Sequence, residues 1–257
     1  MIKFFRKIRQ RLLTENKFSK YLIYAIGEIV LVVIGILIAL SINNWNQDRI
    51  NSNKQHDYLI GLKTDLEKQI AHFSDSDKFY NMLIGQCESI LEDFSSFGKL
   101  SEIDSINKKL SFLMYTRDYP EITTTFNELN STGQLNLIKN KSLRSQTIEY
   151  YQNSEQHSSN VNANTKTVFA NQIFPALTST VVLCPENFGF GNNKIHLEDN
   201  LKTVFDNNLN NPIKEFDIVN AVSLRIIVGE TNKTHVGISK DEAELLLKNI
   251  NAELELY

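Results

Sequence analysis

Nineteen residues near the N-terminus constrain this chain more than any others. From Leu22 to Leu40, inside YLIYAIGEIVLVVIGILIALSI (Tyr21 to Ile42), the only interruptions to apolar side chains are Glu28, Gly27 and Gly35. A helix of that length is about 28 Å long at 1.5 Å per residue, the thickness of a bilayer's hydrocarbon core. A core helix of a soluble domain keeps a polar face, and this stretch has none. Residues 21–42 are therefore expected to span a membrane.

The flanks orient the span. Lys3, Arg6, Lys7, Arg9, Arg11, Lys17 and Lys20 precede it against the single acid Glu15. From Asn46 onward the chain carries 20 basic and 28 acidic residues. The positive-inside rule puts the N-terminus in the cytoplasm and the remainder across the membrane. Three segments follow: 1–20 cytoplasmic, 21–42 in the bilayer, and 43–257 as a periplasmic domain. An acidic domain is a poor ligand for nucleic acid, whose affinity rests on cationic contacts to phosphate. A cleaved signal peptide is the competing reading, with Ala39-Leu40-Ser41 as a weak cleavage-site lookalike. The long basic region, the length of the apolar run and Glu28 favour an uncleaved anchor.

In the opening segment Ile2, Phe5, Ile8 and Leu12 recur at helical steps between cations. Lys3, Arg6, Lys7, Arg9 and Arg11 thus suit a helix lying on an anionic lipid surface, or an ordinary positive flank. Trp45, just past the span, is placed for the membrane–water boundary.

The next 50 residues carry an apolar stripe through Leu59, Leu62, Leu66, Ile70, Phe73, Tyr80, Leu83, Cys87, Leu91 and Phe94 at steps of three, four or seven, with no proline. One helix is expected from Asn46 to Phe97, either separate from the span or continuous with it, stopped by Gly98. Shorter helical stretches follow around Ile103–Leu113 and after Thr125, where Thr125 and Glu128 fit a capping box; Gly133 ends the latter. Another long helix is expected from Ser142 to Thr178, with Leu143, Ile148, Tyr151, Val161, Val168 and Phe169 facing inward. Its polar middle, Asn153–Thr167, should pack loosely or face water. Leu183–Asn200 reads as the longest loop. A last helical region covers Pro212–Gly229 and resumes after Ser239, capped with Glu242. The fold class is all-α: one N-terminal transmembrane helix, then an elongated, four-helix-like up-down bundle.

The segment FSKYLIYAIGEIVLVVIGILIALSINNWN (Phe18–Asn46) resembles the opening of an uncharacterised family of small bacteroidete membrane proteins. FNELNSTGQLNLIKNKSLRSQTIEYY (Phe126–Tyr151) is similar to that family's second block. The resemblance implies an inner-membrane protein of a diderm bacterium with a periplasmic helical domain. It brings no established activity and no catalytic residue.

The chemistry-bearing residues are sparse in pattern. His56, His72, His157, His196 and His235 form no close ligand pair along the chain and read as surface residues. Gly-Phe-Gly at 189–191 lacks the Lys-Ser/Thr of a P-loop. No nucleophile elbow occurs, so no catalytic, cofactor-binding or metal residues are assigned and no cofactor is expected. A hydrolase assembled from scattered helical residues would leave no motif.

Two constellations rise above this background. Gly27, Gly35 and Ala39 lie near one face with Glu28, suiting close helix approach within the membrane. Glu28 is then protonated, paired with another helix, or a proton carrier. Cys87 and Cys184 are either a disulfide or two buried thiols. The expected partners are the lipid bilayer and, through the span, a second copy or another membrane protein; nucleic acid is not expected. The functional expectation is a non-enzymatic interaction, scaffold or sensor-like module. The alternative is a force-transmitting single-span subunit of an ion-driven membrane complex.

Overall fold

The computed structural model describes residues 18–182 and 199–256. The chain divides into two units, Met1–Asp57 and Tyr58–Tyr257. All regular structure among the described residues is helical. Helix α1 runs unbroken from Phe18 to Phe97, 80 residues, so the apolar stretch and the Leu59–Phe94 stripe belong to one helix. Continuity of the Asn46–Phe97 helix with the span, left open by the sequence, is what is found, and neither Pro nor Gly interrupts residues 36–60.

In the N-terminal unit, α1 is long and apolar enough to cross a membrane, and none of its most apolar window is buried. That character suits a membrane anchor or a signal sequence. Trp45 is 65% exposed, and the Arg49 guanidinium lies 5.6 Å from its ring centroid. Lys3, Arg6, Lys7, Arg9 and Arg11 lie outside the described residues.

In the C-terminal unit the α1 stripe is the backbone of the core. Leu59, Leu62, Leu66, Phe73, Tyr80, Leu83, Cys87 and Ile90 are buried, with Ile70, Leu91 and Phe94 partly so. Gly98, at φ +76°, ends the helix as expected. A 3₁₀ turn (Leu100–Glu102) and α2 (Ile106–Phe112) follow, then an extended segment, α3 (Thr124–Ser131) and a second 3₁₀ turn (Gln134–Leu137). Gly133, at φ +67°, closes α3. The expected capping box does not form. Thr123 is the N-cap and makes no side-chain cap. Asp65 of α1 instead accepts from Thr125 N–H at 2.8 Å, and Glu128 accepts from Tyr58 at 3.0 Å. A long-range carboxylate has replaced the local hydroxyl because α3 rests directly on α1: a Cβ at Gly61 would lie 2.8 Å from Thr125 Oγ1.

Helix α4 (Lys141–Ala163) passes into a π-helix (Asn164–Ile173) and then α5 (Phe174–Thr178). Pro175 lacks the N–H for an ordinary i→i−4 bond and its ring crowds that carbonyl, which favours the wider turn before it. Asn140 caps α4 by accepting from Ser142 and Leu143 N–H. Helix α6 (Asp199–Leu209) begins where a loop was expected to end. Its Leu201, Phe205 and Leu209 recur at four-residue steps.

Helix α7 runs from Pro212 to Leu254 without a break. The expected interruption after Gly229 and the restart capped by Ser239 are both wrong. Ser239 is fully buried and donates to the His235 carbonyl at 3.0 Å, an ordinary mid-helix arrangement. Gly229 is small for packing, since a Cβ there would lie 3.1 Å from Ile84 of α1. SLRIIVG (Ser223–Gly229), β-compatible by composition, is helical for the same reason: tertiary packing overrides propensity.

Candidate functional site

Helices α4 and α7 meet antiparallel along a seam built largely of polar side chains. Asn140 donates to Glu253 at 2.8 Å and Asn249 donates to Gln146 at 2.7 Å. Asn153 donates to Glu242 Oε1 at 3.1 Å, and the Nδ1 atoms of His157 and His235 are 2.8 Å apart. At the far end Asn164, first residue of the π-helix, donates to Asn232 at 2.8 Å. Five cross-helix rungs thus climb one helix as they descend the other.

Behind the rungs the same helix faces carry small hydroxyls in phase with the apolar residues. Thr147, Ser154, Ser158 and Ser239 are all buried. Tyr119, in the extended segment before α3, shares a hydrogen bond of 3.0 Å with Ser154 and packs edge-on to Phe73 at 5.3 Å. Ser158 donates to Glu121 of the same segment. The polar middle of this helix, Asn153–Thr167, expected to pack loosely or face water, therefore buries one face, at Ser154, Ser158 and Val161, and exposes the other. The buried hydroxyls of Thr147, Ser154, Ser158 and Ser239 each have a protein partner, the condition under which a buried polar group is tolerated.

The histidine pair constrains protonation. At 2.8 Å one Nδ1 must donate and the other accept, so at most one ring is charged without breaking the contact. Burial, and secondarily the charge of His157, hold His235 below the ordinary histidine range. The unfolded chain then binds the proton first, so this contribution to stability is complete above about pH 6.5 and is lost as pH falls through the lower folded value. Melting temperature should drop from pH 7.5 to pH 5 by more in the parent protein than in the His157→Gln, His235→Gln double variant. Equal slopes in thermal melts of the two proteins would remove the pair as a source of pH sensitivity. Both rings are half-buried. Along the sequence they lie 78 residues apart with no sign of a pairing, and only the antiparallel seam joins them. They supply two metal donors, and no third His, Cys, Asp or Glu joins such a group among the described residues. That is short of the three or four that a zinc centre needs.

Near the π-helix a second polar group is more deeply buried. Arg225 of α7 is 3% exposed, donates to the Tyr115 carbonyl, and lies 4.7 Å from the Phe169 ring centroid. Its Nε has no partner. Desolvation lowers its pKa to about 10, opposed by Cys87 and Tyr80. Burial likewise pushes the Cys87 thiol up to about 12, which makes it a poor nucleophile. Cys184, the other half of the expected disulfide, lies outside the described residues.

A cleft of about 190 Å³ opens between the Gln146–Asn249 and Asn153–Glu242 rungs. Gln146, Glu149, Tyr150 and Asn153 line it from α4, and Glu242, Leu245 and Leu246 from α7. Each helix contributes a stripe at i, i+3 and i+4, one wall of a groove. Two polar atoms beside it are closed to solvent: Glu242 Oε2, which has no donor, and the Tyr150 hydroxyl, which lies near Ser154 and the Glu242 carboxylate. Burial holds the Tyr150 hydroxyl well above its usual range, so it remains a donor.

Of the residues singled out in the span, Gly27, Gly35 and Ala39 are exposed and Glu28 is half-buried. Nothing lies within 4 Å of a Cβ built at either glycine. Neither a curated protein nor a solved structure matches the chain. Residues 28–174 match a family model described as a family of unknown function. The match takes in most of the apolar stretch and the α4 side of the seam, while the α7 side lies beyond it. With more than half its length matched, the chain belongs to the DUF6090 family.

Proposed function

We propose that this protein is a membrane-anchored, non-enzymatic interaction module of the sensor type. In this reading residues 21–42 cross the inner membrane of a diderm bacterium of the bacteroidete group, with the N-terminus cytoplasmic. The C-terminal unit stands on the periplasmic side as an up-down bundle of α1, α4 and α7, with α3 resting on α1. Contact with a second copy or another membrane protein runs through Gly27, Gly35, Ala39 and Glu28, small residues that permit close approach beside an acid. The catalytic alternative draws no support from Cys87, whose thiol is held protonated by burial.

The observation that carries the reading is the seam. Besides the buried Leu143, Val161, Val236, Ala243, Leu246 and Ile250 on these two helices, amides, carboxylates and imidazoles bridge them along the seam. Such groups stabilise weakly on balance but fix register, and their partners are exchangeable for those of a ligand. An interface of that kind supports ligand-dependent adjustment of one helix against another.

The topology is tested with alkaline phosphatase and fluorescent reporters fused after Tyr257 in a diderm host. Phosphatase activity without cytoplasmic fluorescence is expected. Cytoplasmic fluorescence would overturn the anchor orientation and with it the periplasmic sensor.

A further inference from the structure

The two imidazoles that face each other across the seam have the arrangement of a ligand pair. We propose that His157 and His235 hold one soft monovalent cation, of the copper(I) and silver(I) class, in line between their Nδ1 atoms. The binding rests on the imidazole pair alone; its consequence, the ion as effector, rests on the sensor reading above.

Direction comes first. The Nδ1 atoms are 2.8 Å apart and the ring centroids 4.9 Å apart. Those two distances set the nitrogens nearly nose to nose rather than side by side. A proton lies on that line in the hydrogen bond, and a two-coordinate ion lies on the same line. Metal–imidazole bonds of about 2 Å put the nitrogens about 4 Å apart, an opening of roughly 1 Å. Both rings are half-buried, so each has solvent on one side into which to turn.

The number and kind of donors then choose the ion. No third His, Cys, Asp or Glu joins the pair among the described residues. The residues one helical turn from either histidine carry no charge. Calcium and magnesium take six or more oxygens, and zinc takes three or four protein ligands. Imidazole suits copper, and the filled-shell monovalent ions are satisfied by two nitrogens in line. Half-exposure lets water screen the single charge. In the hydrogen bond one ring carries its proton on Nδ1. On binding, that proton moves to Nε2 of the same ring, and both Nδ1 lone pairs bond the ion. No net proton is released and no oxidation state changes. Two metal bonds then replace one hydrogen bond between α4 and α7, midway along the rungs that run from Asn153–Glu242 to Asn164–Asn232.

Silver(I), which needs no reductant, is the probe, titrated as its nitrate into the full chain in detergent micelles. The protein carries Cys87→Ala and Cys184→Ser, because thiols compete with imidazole for soft ions. Calorimetry should give one silver ion per chain, with zinc at least about tenfold weaker. His157→Gln and His235→Gln should each weaken silver by at least about tenfold, since losing a ligand costs no less than losing an outer-shell partner. His72→Gln, at an exposed position, should leave it unchanged. Should either seam variant fail to fold, histidine nitrogen-15 spectra of the unsubstituted pair decide. Silver must shift the Nδ1 resonances of both rings together and leave each Nε2 protonated. Silver affinity unchanged in either seam variant, a shift in one ring alone, or zinc bound as tightly as silver would overturn the site. Such a failure leaves the phosphatase result untouched, whereas a cytoplasmic reporter would remove the effector role and leave a measured silver site standing.

Discussion

Arg225→Ala should destabilise the C-terminal unit by about 2–4 kcal/mol, while Arg225→Met should leave its stability within about 1 kcal/mol of the parent or raise it. The contrast follows from what the side chain does. Its aliphatic stem fills the core between α1 and the π-helix, and its guanidinium rests on Phe169 and donates to the Tyr115 carbonyl. The charge itself is costly: no carboxylate contributes to its shift, desolvation dominates, and Nε has no partner. Alanine loses packing volume along with the donor, whereas methionine loses only the polar contacts and relieves the desolvation. Urea melts followed by near-ultraviolet tyrosine dichroism compare the two. A methionine variant as unstable as the alanine one would show that the guanidinium's hydrogen bond, not its volume, holds α7 in place.

The larger loss is expected at Phe73. It is fully buried on α1, and its ring meets Tyr119 edge-on at 5.3 Å. Phe73→Ala removes that contact and leaves a cavity beside the segment that carries Tyr119 to Ser154. The cost should be about 3–5 kcal/mol, a large share of the roughly 5–15 kcal/mol that holds a domain together. Met82→Ala on the same helix, 51% exposed, should change stability by no more than about 0.5 kcal/mol. Equal losses at the two positions would mean that residues 59–94 do not form the core stripe. The same melts should show whether Tyr119, once freed from Phe73, still positions Ser154 at the edge of the seam.

Helices were legible wherever their cause is local. The apolar run from Leu22 to Leu40, the stripe from Leu59 to Phe94, and the glycines that end α1 and α3 all act within a few residues of themselves. Three features were misread because their cause lies elsewhere in the chain. Ser239 resembles an N-cap beside Glu242, but the phase of Val236, Ala243 and Leu246 with the rest of α7 holds it inside one helix. Thr125 and Glu128 resemble a capping box, but Asp65, 60 residues away, takes the orphan N–H. Asn153–Thr167 resembles a solvated face, yet Ser154, Ser158 and Val161 are buried. A signal for the last was present: these residues, with Thr147, continue the heptad phase of Leu143 and Tyr151, as hydroxyls in place of methyls.

The sequence by itself determined that the chain is helical and that its first 20 described positions or so cannot be buried in its own small core. Periodicity and transfer free energy are properties of neighbouring residues, and they need no knowledge of the remainder. Only the tertiary structure decided the seam. His157 meets His235 and Asn153 meets Glu242 because α4 and α7 run antiparallel in one particular register. A polar side chain in a sequence is satisfied by water or by a distant partner equally well, and hydropathy cannot tell the two apart. The choice is made when packing removes the water, and that depends on every helix at once.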